Sequence, residues 1–149
     1  MMKKVLFVCT GNTCRSPMAE AFFNYSAKKE GLCAKAFSAG LFTEDGLPYS
    51  ENSAAALSEE GITLSGGSRR ITEEMVKDCD YIFGLTQRHG HGVISAFPEY
   101  ADKVYSFPAD ISDPFGGDIV TYKKCLAGIK DGVCKIIQYI KNEDKHNEA

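Results

Sequence analysis

The chain opens on a short uninterrupted apolar run, Val5-Leu6-Phe7-Val8, that stops at Cys9-Thr10-Gly11. From Pro17 the period changes. Met18, Ala21, Phe22 and Tyr25 recur at spacings of three and four, which predicts a helix with one apolar face. Ser16 followed by Pro17 reads as its start: a hydroxyl cap, then a ring whose φ is preset where no amide donor is needed. The first unit is therefore strand, tight loop and helix, with the helix N-terminus pointing back into the loop.

Further along, Ala34 to Ala39 reads as a second strand closed by Gly40, and Ser53 to Glu60 as a short helix closed by Gly61. Thr72-Glu73-Glu74 supplies a cap and an acidic first turn for a helix through Asp78. Tyr81 to Leu85 is a buried strand, and Val104 to Phe107 a fourth. After the Pro- and Gly-rich stretch 108–117, Ile119, Tyr122, Leu126, Ile129, Val133, Ile136 and Ile140 predict one long amphipathic helix. Gly128 and Gly132 weaken that helix by about 1 kcal/mol each relative to Ala, so close packing against a neighbour is their expected reason. The polar tail 142–149 is expected to fray.

Strands alternating with helices predict an α/β fold. The expected form is three layers, a four-stranded parallel sheet with helices on both faces, because right-handed crossovers place helices over the sheet. Ligands of such sheets bind at the carboxyl ends of strands, and Cys9 sits at one.

Composition narrows the function classes. At 149 residues, 44% hydrophobic and 25% charged, the chain fits one domain, 1–149. A net charge of -3 gives no broad positive field for nucleic acid or an anionic membrane, so any phosphate site must be local. The N-terminal apolar run is too short for a signal peptide, and no stretch approaches the roughly 18 apolar residues of a membrane span. A cytoplasmic monomer is the expectation. The six cysteines then read as reduced thiols, and without a C-x-x-C pair or a clustered Cys/His set no metal or cofactor is expected.

Chemistry concentrates in Cys9-Thr10-Gly11-Asn12-Thr13-Cys14-Arg15-Ser16. A loop of this size curls its amides around a tetrahedral oxyanion, with Gly11 admitting positive φ and Asn12 tolerating it. The helix start adds partial positive charge, and Arg15 offers a bidentate fork to two phosphoryl oxygens. Those dipoles favour a thiolate, which would make Cys9 a nucleophile near neutral pH, with Ser16 donating a hydroxyl hydrogen bond to the sulfur. Taken singly, a buried strand-end Cys or a Gly-containing turn is only packing. At this joint spacing, between a strand and a helix, they point to metal-independent phosphoryl transfer through a phosphocysteine.

The leaving group needs a proton, and the loop Ile111-Ser112-Asp113-Pro114-Phe115-Gly116-Gly117 offers Asp113 as general acid, then base. Phe115 is a candidate pocket wall. Cys14 is a candidate partner for an oxidised Cys9 or else a loop filler. His89-Gly90-His91 reads as a solvated loop rather than a metal site, Arg69-Arg70 as surface with Arg69 a candidate for the pocket rim, and Met75, Phe22 and Phe23 as core.

The run from Val5 through Cys9-Thr10-Gly11-Asn12-Thr13-Cys14-Arg15-Ser16-Pro17-Met18-Ala19-Glu20-Ala21, then Ser38-Ala39-Gly40 and Asp113-Pro114, closely resembles the low-molecular-weight protein tyrosine phosphatase family over nearly the whole chain. The resemblance implies a flavodoxin-like sheet and phosphorylated protein substrates. It also implies Cys9 as nucleophile, Arg15 as phosphate ligand, Asp113 as acid, and Asn12 and Ser16 as loop supports. Thr13, where tyrosine-specific members carry Ile or Leu, and Phe115-Gly116, where they carry an aromatic pair, look like the protein-arginine-phosphatase branch. A β-branched hydroxyl leaves room and an acceptor for a guanidinium, whereas Ile packs an aromatic ring. Phosphotyrosine is the alternative substrate. An arsenate-reducing branch shares a similar loop but needs two further cysteines close together, where this chain has only Cys79. A non-catalytic phosphoprotein-binding module would have no need of both Cys9 and Asp113.

Overall fold

A computed structural model describes the backbone of residues 2–148 and the side chains of residues 2–144. Four parallel strands, β1 (Lys3–Cys9), β2 (Ala34–Gly40), β3 (Tyr81–Gly84) and β4 (Val104–Ser106), lie in the order β2-β1-β3-β4. Between and after them run α1 (Arg15–Glu30), α2 (Glu51–Ser58), α3 (Glu73–Asp78), α4 (Gln87–Ala96), a 3-10 segment (Pro98–Lys103) and α5 (Ile119–Glu148).

The apolar run of β1 explains the layers. Side chains alternate across a strand, so Val5 and Phe7 enter one core while Leu6 and Val8 enter another. Both faces being covered, the run carries no polar position. The first core takes Met18, Phe22 and Phe23 of α1, Leu57 of α2, and Leu126, Ile129, Val133, Ile136 and Ile140 of α5. The second takes Val76 of α3 and Val93 of α4. The three-layer arrangement is the one the sequence predicts.

Several local expectations are corrected. Tyr25 is 40% exposed, and the face of α1 that is buried runs through Met18, Ala19, Phe22, Phe23 and Ala27. Met75 is only half-buried at the edge of the second core. α2 starts earlier than expected, because the Ser50 hydroxyl accepts from Ser53 N and caps the helix there. His89-Gly90-His91 is part of α4, capped by Thr86, whose hydroxyl accepts from His89 N. Two glycines and no apolar period conceal that helix. At the C-terminus the backbone of α5 runs as helix to Glu148; Ala149 lies outside the described residues.

Of the two α5 glycines, Gly132 is the one with a packing reason. A Cβ at Gly132 would overlap the ring of Phe107, which is 3% exposed and itself packs edge-on against Phe7. At Gly128 a Cβ would meet only the flexible end of Ile111, at 3.3 Å. Gly132→Ala is therefore expected to destabilise by about 1–3 kcal/mol despite its helix propensity. Gly128→Ala should be near neutral or stabilising; thermal unfolding of the two variants checks the contrast.

Candidate active site

β1 ends at Cys9, and the chain turns through Thr10–Cys14 into α1. The outer side of this turn is tied down through its carbonyls. Leu41 N donates to Cys9 O (3.0 Å), Phe42 N to Thr10 O (3.0 Å) and Ser50 N to Thr13 O (2.9 Å). With carbonyls turned outward to the segment after β2, the N–H side of the loop is left for the interior. α1 begins at Arg15, and its N-cap, Cys14, makes no side-chain capping bond. The open first turn of the helix is then a natural anion site. Ser16 is thus not the cap. It lies inside the first turn, where Pro17 still costs no helical hydrogen bond.

Asn12, rather than Gly11, takes the left-handed conformation, with φ of 54°. It is fully buried. Its Nδ2 donates to Ser16 Oγ (2.8 Å), and its Oδ1 accepts from Arg69 N (2.9 Å). Its own N–H donates to Cys9 Sγ at 3.3 Å. Because Ser16 Oγ accepts from Asn12, its proton is available to Cys9 Sγ, 2.8 Å away. Two donors converge on one sulfur.

Arg15 is 7% exposed. Its Nη1 donates to Ile111 O (3.0 Å) and its Nη2 lies 3.8 Å from Asp113 Oδ2. Asp113 Oδ1 accepts from Phe115 N (3.0 Å), which closes the acid loop on itself, while its side chain remains about half exposed. Cys9 through Arg15, Asp113 and Phe115 line one cavity of about 230 Å³. All the residues singled out in the loop and the acid segment therefore meet, except that Ser16 lies behind Cys9 rather than on the cavity wall. Thr13, Cys14 and Phe115 also border an adjoining groove toward Leu47, Asn52 and Tyr122.

Three neighbours escaped sequence reasoning. Phe42 is 79% exposed, comparable with Phe115 at 81%, on the segment bound to Thr10. Tyr122, on α5, places its hydroxyl 3.4 Å from Cys14 Sγ, and burial pushes its own titration up. His89 is buried, not solvated, with Nε2 3.0 Å from Thr10 Oγ1. Only the Thr86 cap hints at its helix in the sequence. Arg69 joins the loop through its backbone, and its side chain borders a different cavity on the α3 side, so it does not form this rim. Cys79 belongs to the second core, where burial pushes its thiol up to about 11. Cys125 lies near the acid loop, its thiol pushed up to about 12 by burial. Among the described residues, no three His, Cys, Asp or Glu side chains converge as metal ligands.

The family model of low molecular weight phosphotyrosine protein phosphatase matches residues 4–146. A protein-arginine-phosphatase of Bacillus subtilis (strain 168) is 36% identical over 146 residues, 93% of this chain and 97% of that protein. Two solved structures are close in shape. One, of a YwlE arginine phosphatase mutant with a phosphorylated active-site serine, has a TM-score of 0.90 at 35% identity, covering 93% of this chain and 95% of that one. The other is a low molecular weight protein tyrosine phosphatase from T. tengcongensis, with a TM-score of 0.89 at 37% identity, covering 92% and 99%. With the loop, the acid segment and the match along the whole sheet taken together, the chain belongs to the low molecular weight phosphotyrosine protein phosphatase family and is a phosphatase.

Proposed function

We propose that this phosphatase removes phosphate from phosphoarginine in proteins, through a phosphocysteine formed on Cys9. Cys9 attacks phosphorus in line with the P–N bond. The loop amides of Thr10 to Cys14 and the guanidinium of Arg15 meet charge on the equatorial oxygens. Asp113 protonates the departing guanidine nitrogen, which breaks the P–N bond, and then takes a proton from the water that releases phosphate and restores the sulfur. The side chains of Asn12 and Ser16 support the loop: Asn12 Nδ2 bonds Ser16 Oγ, which faces the Cys9 sulfur.

The observation that carries the substrate is Thr13. Its side chain borders both the anion cavity and the adjoining groove, where a short polar residue leaves space and an acceptor for a guanidinium. Phe115, largely exposed and bordering both the cavity and the groove, supplies a face on which a planar cation can stack. The likeness to a protein-arginine-phosphatase over 93% of the chain supports the same substrate. Phosphotyrosine is the second reading, favoured by the likeness to the T. tengcongensis enzyme. Arsenate reduction would need a relay of nearby thiols, and Cys79 lies in the other core.

We place the enzyme in a reducing cytoplasm, as one domain over residues 1–149 acting on phosphorylated proteins. All six cysteines stand as free thiols, and no helix among the described residues is long and apolar enough to cross a membrane. Cys14 borders the same cavity as Cys9, so it is the thiol that would capture an oxidised nucleophile as a reversible disulfide.

Wild type is expected to turn over phosphoarginine in preference to phosphotyrosine. Thr13→Ile should lose about 10- to 100-fold in kcat/KM on phosphoarginine and gain on phosphotyrosine. A wild-type preference for phosphotyrosine left unchanged by the substitution would overturn the assignment. Under mild peroxide, mass mapping should find a Cys9–Cys14 disulfide that thiol reductant reverses. Sulfonation of Cys9 with no such species would count against the protective role of Cys14.

A further inference from the structure

His89 lies outside the loop yet touches it. In the first turn of α4 and 5% exposed, it spans two threonine hydroxyls: Nε2 is 3.0 Å from Thr10 Oγ1, and Nδ1 is 3.1 Å from Thr86 Oγ1. Thr86 is the N-cap of the helix, and its oxygen already accepts from His89 N at 3.3 Å. The hydroxyl proton of Thr86 then has Nδ1 as an acceptor within reach. A neutral ring that accepts at Nδ1 carries its proton on Nε2 and donates it to Thr10. Thr10 Oγ1 is thereby occupied as an acceptor, and its own proton is left for the cavity that Thr10 borders together with Cys9 and Arg15.

We propose that His89 is a positioning residue: as its Nε2–H tautomer, it fixes the Thr10 hydroxyl as a donor into the anion cavity, acting on the phosphoryl group only through Thr10. The proposal rests on the phosphatase reading. A freely rotating hydroxyl can turn its lone pairs toward an incoming phosphoryl oxygen and repel it. One whose oxygen is engaged from behind presents its proton instead, which is preorganisation of the kind that lowers a barrier without reorganisation at the moment of reaction. The direction of the chain requires a neutral ring. Burial, with the Arg15 charge nearby and only partly opposed by Asp113 and Asp110, pushes the imidazole down to about 4. A glutamine can imitate the pair of bonds, one amide hydrogen donated and one oxygen accepting; a phenylalanine can imitate only the shape.

The imidazole nitrogens of 15N-labelled full-length protein at pH 7 should report Nε2 protonated and Nδ1 bare for His89. The Nδ1–H tautomer or an imidazolium would overturn the proposal. With para-nitrophenyl phosphate as substrate, His89→Phe and Thr10→Val should each lower kcat roughly 3- to 10-fold. The double variant should be no slower than the worse single one, and His89→Gln should recover most of the rate. Additive losses, or a His89→Gln as slow as His89→Phe, would mean that the histidine merely packs. Should His89→Phe not fold, the tautomer and the pairing of His89→Gln with Thr10→Val still decide. Wild-type kcat in a folded His89→Phe would sink the proposal alone, whereas a wild type without phosphatase activity would sink the reading beneath it.

Discussion

Asn12 is fully buried with φ of 54°, a backbone state that costs a non-glycine residue about 1–2 kcal/mol. Its side chain offsets that cost by bonding Ser16 on one side and the backbone of Arg69 on the other, while its N–H donates to the Cys9 sulfur. The same left-handed residue reverses the chain direction between β1 and α1. The hydrogen bonds that hold Asn12 are therefore among those that surround the Cys9 sulfur. Removing the side-chain amide would strip the donor from Ser16 Oγ, the hydroxyl that faces the Cys9 sulfur, so loop shape and sulfur environment are coupled by construction.

The rest of the fold brings Asp113 to this loop. Ile111 N donates to Leu85 O just beyond β3, and Ile111 O accepts from Arg15. The segment carrying Asp113 is thus pinned at its base to the sheet and to Arg15, while Asp113 stays half exposed over the cavity. A buried guanidinium engaged by one carbonyl and a carboxylate at 3.8 Å is incompletely compensated. A phosphoryl dianion in the cavity would complete it, which is why the site suits a dianion better than a neutral ligand. α5 closes the assembly: Gly132 admits Phe107 beneath the acid segment, and Tyr122 meets Cys14 from the far wall.

Elements with strong periodicity were legible. The apolar run 5–8, the long stripe of α5 and the alternation of strands with helices led directly to the observed sheet, because burial on two faces leaves an unambiguous pattern. α4 was not, since glycines in Gln87-Arg88-His89-Gly90-His91-Gly92 erase the pattern and its stability comes from a cap and from packing against β3 and β4. The loop spacing, joined to its need of an acid that the segment at Asp113 offers, identified Cys9, Arg15 and Asp113 as a set that the fold brings around one cavity. It could not say that Asn12 rather than Gly11 would bear the positive φ, because that depends on partners such as Arg69, 57 residues away. Nor could it reveal Phe42, His89 or Tyr122, whose proximity to the loop arises from contacts between distant segments.

In the proposed mechanism phosphorus is transferred to Cys9 before it reaches water. The most direct measurement is rapid acid quench of Asp113→Ala with a phosphorylated substrate of good leaving ability, followed by mass mapping. Without the base, hydrolysis of the intermediate should slow more than its formation when the leaving group needs little protonation. A single phosphate is expected on the Cys9 peptide, appearing at a rate no slower than turnover and absent from Cys9→Ala. Turnover with no covalent phosphate, or phosphate on another residue, would contradict it.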